Sequence, residues 1–499
     1  MTDTAATASE EGTDPRRWKA LSVALTAGFM SLLDVSIVAV ALPSIQKALG
    51  TDAAGVQWVV SGYALAFGLT LVPAGRLGDA YGRRRLFMLA LSGFVLFSAA
   101  AGAAPSTGWL IAARLLQGLS AGAMAPQNSA LIQQLFRGAE RGRAFGFFGA
   151  TVGVSTAIGP VVGGVILALA GDADGWRWIF LVNVPIGVVA LLLAFRLLPR
   201  GGGSGERNHI DLVGVALLGA AVLALMLPLV LAESGGLSRL WWLFPVGLAL
   251  LAVFAVAERR VARRGKEPVL DIDLLTSTSG YASGAALGFA YFVAFSGVWL
   301  VFALYFQAGL GYTPLQSGLA VTAFAVGSAG SAVIGGRLVA RLGRRLTVLG
   351  LSLVVLGMGT TAVVIWLTPP EVTGWAVAAP LLLGGIGGGW VIAPNTTMTL
   401  QWVPVRMAGS AGGALQTGQR IGAAIGTSAL PGVFYAVLAA NGRDYQAAAA
   451  VAIGSAALAV CVALAIGVVE WRQAAHRAAG AGAPDPETPD HAHVADAAH

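Results

Sequence analysis

The sequence predicts an all-α integral membrane protein: two six-helix bundles plus an inserted helix pair, fourteen transmembrane helices in all. Three observations predict it. Of 499 residues, 56% are hydrophobic and only 11% charged, whereas a soluble domain carries roughly 25% charged residues. The apolar residues fall into about fourteen stretches, each able to supply the roughly 20 residues that a spanning helix needs. Finally, a short basic block occurs twice between such stretches. Gly75-Arg76-Leu77-Gly78-Asp79-Ala80-Tyr81-Gly82-Arg83-Arg84 returns 261 residues later, without a gap, as Gly336-Arg337-Leu338-Val339-Ala340-Arg341-Leu342-Gly343-Arg344-Arg345. Self-similarity at that distance marks two related halves, and the acid of the first copy, Asp79, is Ala340 in the second.

The spans centre near Met30, Ala66, Phe94, Gly122, Gly153 and Ile186 in the first bundle, near Ala220 and Leu250 in the inserted pair, and near Phe295, Val326, Val355, Gly387, Ala423 and Leu458 in the second bundle. The expected units are a cytoplasmic N-terminal tail over 1–17, the first bundle over 18–198, a linker over 199–209 and the helix pair over 210–262. A cytoplasmic connection over 263–279, the second bundle over 280–470 and a disordered cytoplasmic tail over 471–499 complete the chain. Gly201-Gly202-Gly203-Ser204-Gly205 has the composition of a flexible linker. The 68 glycines suit membrane helices, where small residues let backbones approach closely.

An even number of spans places both termini on one side. Of the 31 Lys and Arg, 25 fall in the tails and in the loops on that side, so the positive-inside rule assigns both termini to the cytoplasm and the chain to the cytoplasmic membrane as a multi-pass protein. The net charge of +7 is spread in short runs between apolar segments, which argues against a nucleic-acid-binding face. The single cysteine, Cys461, lies inside the last apolar stretch, so no internal disulfide forms, and no cleavable leader is read at the N-terminus. His491 and His493 in the tail fall short of a four-ligand metal site, and no metal or cofactor is expected beyond a proton gradient.

Charges inside membrane spans are costly and mark functional sites. Of the 24 acids only Asp34 lies well inside a span. It precedes Pro43 by nine residues, roughly 13 Å of helix, while Arg114 follows Trp109 by five, roughly 8 Å, so the two opposite charges sit at similar depth. Desolvation raises a carboxyl's proton affinity and a neighbouring cation lowers it, so movement of Asp34 relative to Arg114 or water would exchange a proton. In the second bundle, residues 281–310 hold no acid, and Arg420 in Gln416-Thr417-Gly418-Gln419-Arg420 is an intramembrane cation. Gln127 and Asn128 are echoed by Asn395, which with Gln416, Gln419 and Arg420 completes a polar set expected to face a substrate. Tyr291, Phe295, Trp299, Phe302 and Phe306 follow helical spacing and share a face, on which aromatic surface would suit large apolar or cationic guests.

These residues carry a resemblance. Gly75 to Arg85 resembles the cytoplasmic loop motif of the major facilitator superfamily, Arg114-Leu115-Leu116-Gln117-Gly118 its fourth-helix motif, and Gly159-Pro160-Val161-Val162-Gly163-Gly164 its fifth-helix antiporter motif. Asp34 with Ala41-Leu42-Pro43, and Trp176-Arg177-Trp178 through Pro185, are similar to signatures of the fourteen-helix drug:proton antiporters. The resemblance covers about residues 18–470 and implies alternating access around a central cavity. It implies proton coupling for Asp34 and Arg114, and conformational gating for Gly75, Asp79, Gly82, Arg83, Arg84, Gly159, Pro160, Gly163 and Gly164. Asp79 is expected to accept hydrogen bonds from a helix N-terminus in the other bundle. The glycines around Pro160 are expected to let the partner bundle pack closely. Gln117 joins the substrate-binding set of Gln127, Asn128, Tyr291, Phe295, Trp299, Asn395, Gln416, Gln419 and Arg420.

The expected function is proton-coupled export of a hydrophobic organic compound, a drug, antibiotic or secondary metabolite, by a monomer with no enzymatic activity. A metabolite symporter is disfavoured by the fifth-helix Gly-Pro pattern. A receptor or lipid-handling protein would need a sensor domain or lipid-sized groove, and an enzyme would need clustered catalytic groups that Asp34 alone does not make.

Overall fold

The computed structural model describes residues 16–171, 174–199 and 211–480. The linker expected over 199–209 and the tail histidines fall almost entirely outside the described residues, as does most of the N-terminal tail. Among the described residues there are helices and turns but no strand.

The helices of the first half are α1 (Arg16–Leu49), α2 (Ala53–Tyr81), α3 (Arg83–Gly102), α4 (Thr107–Leu135), α5 (Gly138–Ala170) and α6 (Gly175–Leu181 continuing as Asn183–Leu197). A pair follows, α7 (Leu212–Val230) and α8 (Leu243–Arg263). The second half comprises α9 (Tyr281–Phe295, continuing as Val298–Ala303 and a π turn Leu304–Gly309), α10 (Pro314–Leu342), α11 (Arg344–Leu367), α12 (Ala378–Thr399), α13 (Ala408–Ala440) and α14 (Tyr445–Gly480). Short-range signals set the ends. Asp52 and Ser106 accept backbone N–H groups at the starts of α2 and α4, and Thr313 forms a capping box with Gln316 under Pro314 at α10, each satisfying donors that the first helical turn leaves unpaired. In both copies of the repeated block the last glycine, Gly82 or Gly343, takes positive φ and turns the chain between two helices, a conformation glycine adopts without steric cost.

Eleven described helices are long and apolar enough to cross a membrane. Three of the fourteen expected spans fall short of that measure. α4 is diluted by Arg114, Gln117, Gln127, Asn128 and Gln133, all buried; α8 ends in Glu258, Arg259, Arg260 and Arg263; and α5, a continuous helix over Gly138–Ala170, is measured over its described side chains only in part, as Val161–Ala170. Another difference lies at the C-terminus: α14 runs ten residues past the expected boundary at 470, to Gly480. Good helix formers (Arg472, Gln473, Ala474, Ala475) extend it, and the Arg345 guanidinium lies 5.4 Å over the Trp471 ring.

The two halves repeat one packing scheme. α1 packs on α5, α2 and α3 on α4, and α3 on α6; α9 packs on α13, α10 and α11 on α12, and α11 on α14. Across the halves, α2 meets α13 and α5 meets α10, the two contacts being related by the same internal symmetry. Both are glycine seams. A Cβ added at Gly75 would lie 2.2 Å from the Gly409 carbonyl oxygen, and one at Gly336 would lie 2.6 Å from that of Gly142. Such distances are far below van der Waals contact, so only glycine permits the approach. Along α5 the seam continues through Gly146, Gly149 and Gly153, which face Gly336, Ala393 and Ser328.

The helix pair sits over the α2–α13 seam. Gln57 and Ser61 of α2 donate to the Val230 carbonyl, and Ser428 of α13 donates to the Leu229 carbonyl, so both halves satisfy the orphan acceptors at the end of α7. The connection after α8 is packed: Val269, Ile272 and Leu274 are buried, and Glu258 accepts the Leu270 N–H at 3.2 Å.

Candidate functional site

Inside the first bundle, α1, α4 and α6 bring four polar side chains to one point. Asp34 is fully buried and Arg114 is 1% exposed. One Arg114 Nη1 pairs with Asp34 Oδ2 and also donates to Gln117 Oε1 at 2.7 Å, while Nε donates to the Val59 carbonyl at 3.0 Å. Asp34 Oδ1 accepts from Gln117 Nε2 at 3.0 Å and from Asn183 Nδ2 at 3.2 Å. Ser98 on α3 takes a second Gln117 proton at 2.8 Å. The guanidinium lies 4.2 Å over the Tyr63 ring, whose hydroxyl donates to the Ser31 carbonyl. A carboxylate away from water is tolerated when its lone pairs are filled this completely. The carboxylate stands on α1 and its donors on α4 and α6, so the site ties three helices of the first bundle together.

At the basic end, Asp79 joins the halves. Its carboxylate accepts the Gly409 N–H at 3.0 Å and the Ser410 N–H at 2.9 Å, both in the first turn of α13, where unpaired N–H groups and the helix dipole favour an anion. Arg83 pairs with Asp79 at 3.0 Å and donates across to the Val405 carbonyl. Arg84 remains within the first bundle, donating to the Phe195 carbonyl.

The fifth-helix motif behaves differently from expectation. A Cβ at Gly159 would lie 2.0 Å from Ser36 Oγ, and one at Gly163 3.1 Å from Ile37, while Gly164 meets nothing. Gly159 and Gly163 thus press on α1 two and three residues after Asp34, within their own bundle; the partner bundle is met by Gly142, Gly146, Gly149 and Gly153 on another face of α5. Pro160 sits in α5 between them.

Between the halves, toward the end of α5 and α10 remote from the Gly142–Gly336 contact, lies a cavity lined by Val152, Gly153, Phe295, Trp299, Phe324 and Ser328. Phe295 and Trp299 pack on Phe324 at centroid distances of 5.4 and 5.0 Å. The rest of the aromatic stripe is buried, with Tyr291, Phe302 and Phe306 in the core of the second bundle. The polar set divides as well. Gln127 donates to the Ala74 carbonyl, Asn395 bonds Arg344 and the Gly284 carbonyl, and Asn128 is 2% exposed, so these three and Gln117 occupy helix contacts within a bundle. Gln416 reaches across to Ser129 at 3.3 Å, Gln419 stands beside Gly288, and the Arg420 guanidinium lies 4.1 Å over the Phe67 ring of the first half.

Three features escaped the sequence reading. Asn183 stood inside the Trp176–Pro185 signature without a role. Phe324 carried no periodic signal of its own. Arg344 pairs with Glu470 at 2.6 Å, both buried; an acid on α14 replaces the one lost at Ala340, and the unpartnered repeat of Arg83 was the clue available.

Two repeated bundles, seamed by glycine, with buried charge networks and a cavity between them, define the class of two-bundle membrane transporters. The chain belongs to the Major Facilitator Superfamily, whose profile matches residues 24–270 and 284–493. It is 35% identical to the puromycin resistance protein pur8 of Streptomyces alboniger over 92% of this chain and 90% of that protein. It is equally 35% identical to the probable actinorhodin transporter of Streptomyces coelicolor, over 85% of this chain and 73% of the other. The multidrug resistance protein Stp of Mycobacterium tuberculosis is 34% identical over 83% and 75% respectively. The fold superposes on the human organic anion transporter MFSD10 with a TM-score of 0.64 at 16% identity, covering 91% of this chain and all of that one.

Proposed function

We propose that this protein is a proton-coupled antiporter that exports hydrophobic organic compounds, antibiotic-like or secondary metabolites, from the cytoplasm by alternating access. The observation that carries the reading is the Asp34 site: a fully buried carboxylate on α1 whose partners are Arg114 and Gln117 on α4 and Asn183 on α6. Protonation would release Arg114 and the two amides, and the helices bearing them would shift. With the basic end on the cytoplasmic side of the cell membrane and all fourteen helices spanning, the glycine seams and the Asp79 contacts close the cytoplasmic side, and the cavity beside Phe295 and Trp299 faces outward. Similarity to a puromycin resistance protein, a multidrug resistance protein and a tetracenomycin C resistance and export protein supports the direction and the organic nature of the cargo.

The test is reconstitution of the full chain, as a monomer, in liposomes with an imposed pH gradient and a panel of antibiotics. Substrate-stimulated proton release is expected from the wild type, and Asp34→Asn should lower gradient-driven transport at least ten-fold, roughly 1.4 kcal/mol or more, while substrate binding persists. Undiminished gradient-driven transport by Asp34→Asn would overturn the coupling role.

A further inference from the structure

Arg420 differs from every other arginine held inside the two bundles. Arg83 pairs with Asp79, Arg114 with Asp34, Arg344 with Glu470, and Arg76 reaches Glu267 in the connection. Each of these charges is cancelled where it stands. Among the described residues Arg420 makes neither an ion pair nor a hydrogen bond; its guanidinium carbon lies 4.1 Å from the centroid of the Phe67 ring. Glu258, the remaining buried acid, is engaged by the Leu270 N–H beside α7. The membrane interior of the two bundles is therefore left with one positive charge in excess, on α13, at the contact between the halves.

Arg420 is partly exposed, and its five donors form a planar fork matched to a carboxylate or sulfonate. Aromatic surface flanks it: Tyr63 and Phe67, with centroids 6.1 Å apart, lie on the facing helix. One turn earlier on α13, Gln416 spans to Ser129, while Gln419 is partly exposed next to Arg420.

We propose that Arg420 anchors an acidic group of the transported compound, so that the cargo is an organic anion bearing a carboxylate, sulfonate or acidic phenol. The proposal rests on the export reading above and narrows its substrate class. Arg420 acts here by direct contact with the ligand, and Phe67 fixes the position of the guanidinium by cation–π contact.

The test uses two fluorescent probes that share one ring system, anionic 1-anilinonaphthalene-8-sulfonate and neutral N-phenyl-1-naphthylamine, with the full-length protein in nanodiscs. The wild type should bind the sulfonate at least ten-fold more tightly than the neutral amine. Arg420→Gln should abolish that preference without changing affinity for the amine, and Arg420→Lys should keep part of it. Equal affinity of the wild type for both probes, or a preference that survives Arg420→Gln, would overturn the proposal. Should Arg420→Gln fail to fold, the wild-type ratio and Arg420→Lys decide it. Efflux from vesicles separates the two readings. An Arg420-dependent preference without gradient-driven efflux removes the export reading and keeps the anion site; gradient-driven efflux of both probes, unaltered by Arg420→Gln, does the reverse.

Discussion

Glu470 shows what a single residue can decide in this interior. It supplies the negative charge that the second copy of the basic block lost when Asp79 became Ala340, but it does so from α14, more than a hundred residues away in sequence, through Arg344 at 2.6 Å. Removing one partner of a buried pair strands the other charge, at a cost of roughly 3–5 kcal/mol, whereas replacing both by apolar groups of similar size is often close to neutral. Glu470→Ala should therefore lower the melting temperature of the detergent-solubilised protein clearly, and Arg344→Met with Glu470→Met should restore most of it. A double variant no more stable than Glu470→Ala would show that the pair contributes through its own attraction. By the same logic Asp34 and Arg114 were legible in the sequence, because an isolated acid and an isolated base in apolar spans demand each other. Glu470 was not, because it stands where a span ends and a solvated acid is ordinary.

At the scale of the helix, the seams between α2 and α13 and between α5 and α10 carry the fold's two-part character. The order of the helical segments could be read from apolar runs and the repeated block, since both are periodic features of the chain itself. Which face of α5 meets the other half could not. Gly159 and Gly163 advertise close packing but do not name the neighbour, and only the three-dimensional register shows that they press on Ser36 and Ile37 while Gly142 and Gly146 meet the partner. At Gly75 an added side chain would strike the Gly409 backbone, which cannot move aside as a flexible side chain would. Gly75→Val should therefore hold the basic ends of α2 and α13 apart. Spin labels placed on the exposed faces of these two ends should report a longer distance than in the wild type by double electron–electron resonance, and an unchanged distribution would refute the seam's role.

The whole molecule adds a question of topology, because α4 and α8 are too polar to be recognised as spans by composition alone. Burying polar side chains within a bundle removes them from contact with lipid, so composition understates the length that the membrane can hold. In a Cys461→Ser background, a membrane-impermeant maleimide applied to intact cells should label Ser238→Cys, in the turn between α7 and α8, and Asn441→Cys, between α13 and α14. It should leave Arg264→Cys unlabelled until the cells are opened. Labelling of Arg264→Cys from outside would invert the assigned orientation, and protection of Ser238→Cys would show that the helix pair does not cross.

The bareness of the glycine seams has a thermodynamic side. Where Gly75 meets Gly409 and Gly142 meets Gly336, closure immobilises no side-chain rotors, and ordering a long side chain would otherwise cost up to roughly 2 kcal/mol each in lost rotamer freedom. Under the alternating access proposed above, opening that end would release little conformational entropy. The balance between its open and closed forms is left to a few enthalpic contacts, the Asp79 carboxylate on the first N–H groups of α13 and Arg83 on the Val405 carbonyl, so heating should shift it less than removal of a single charge.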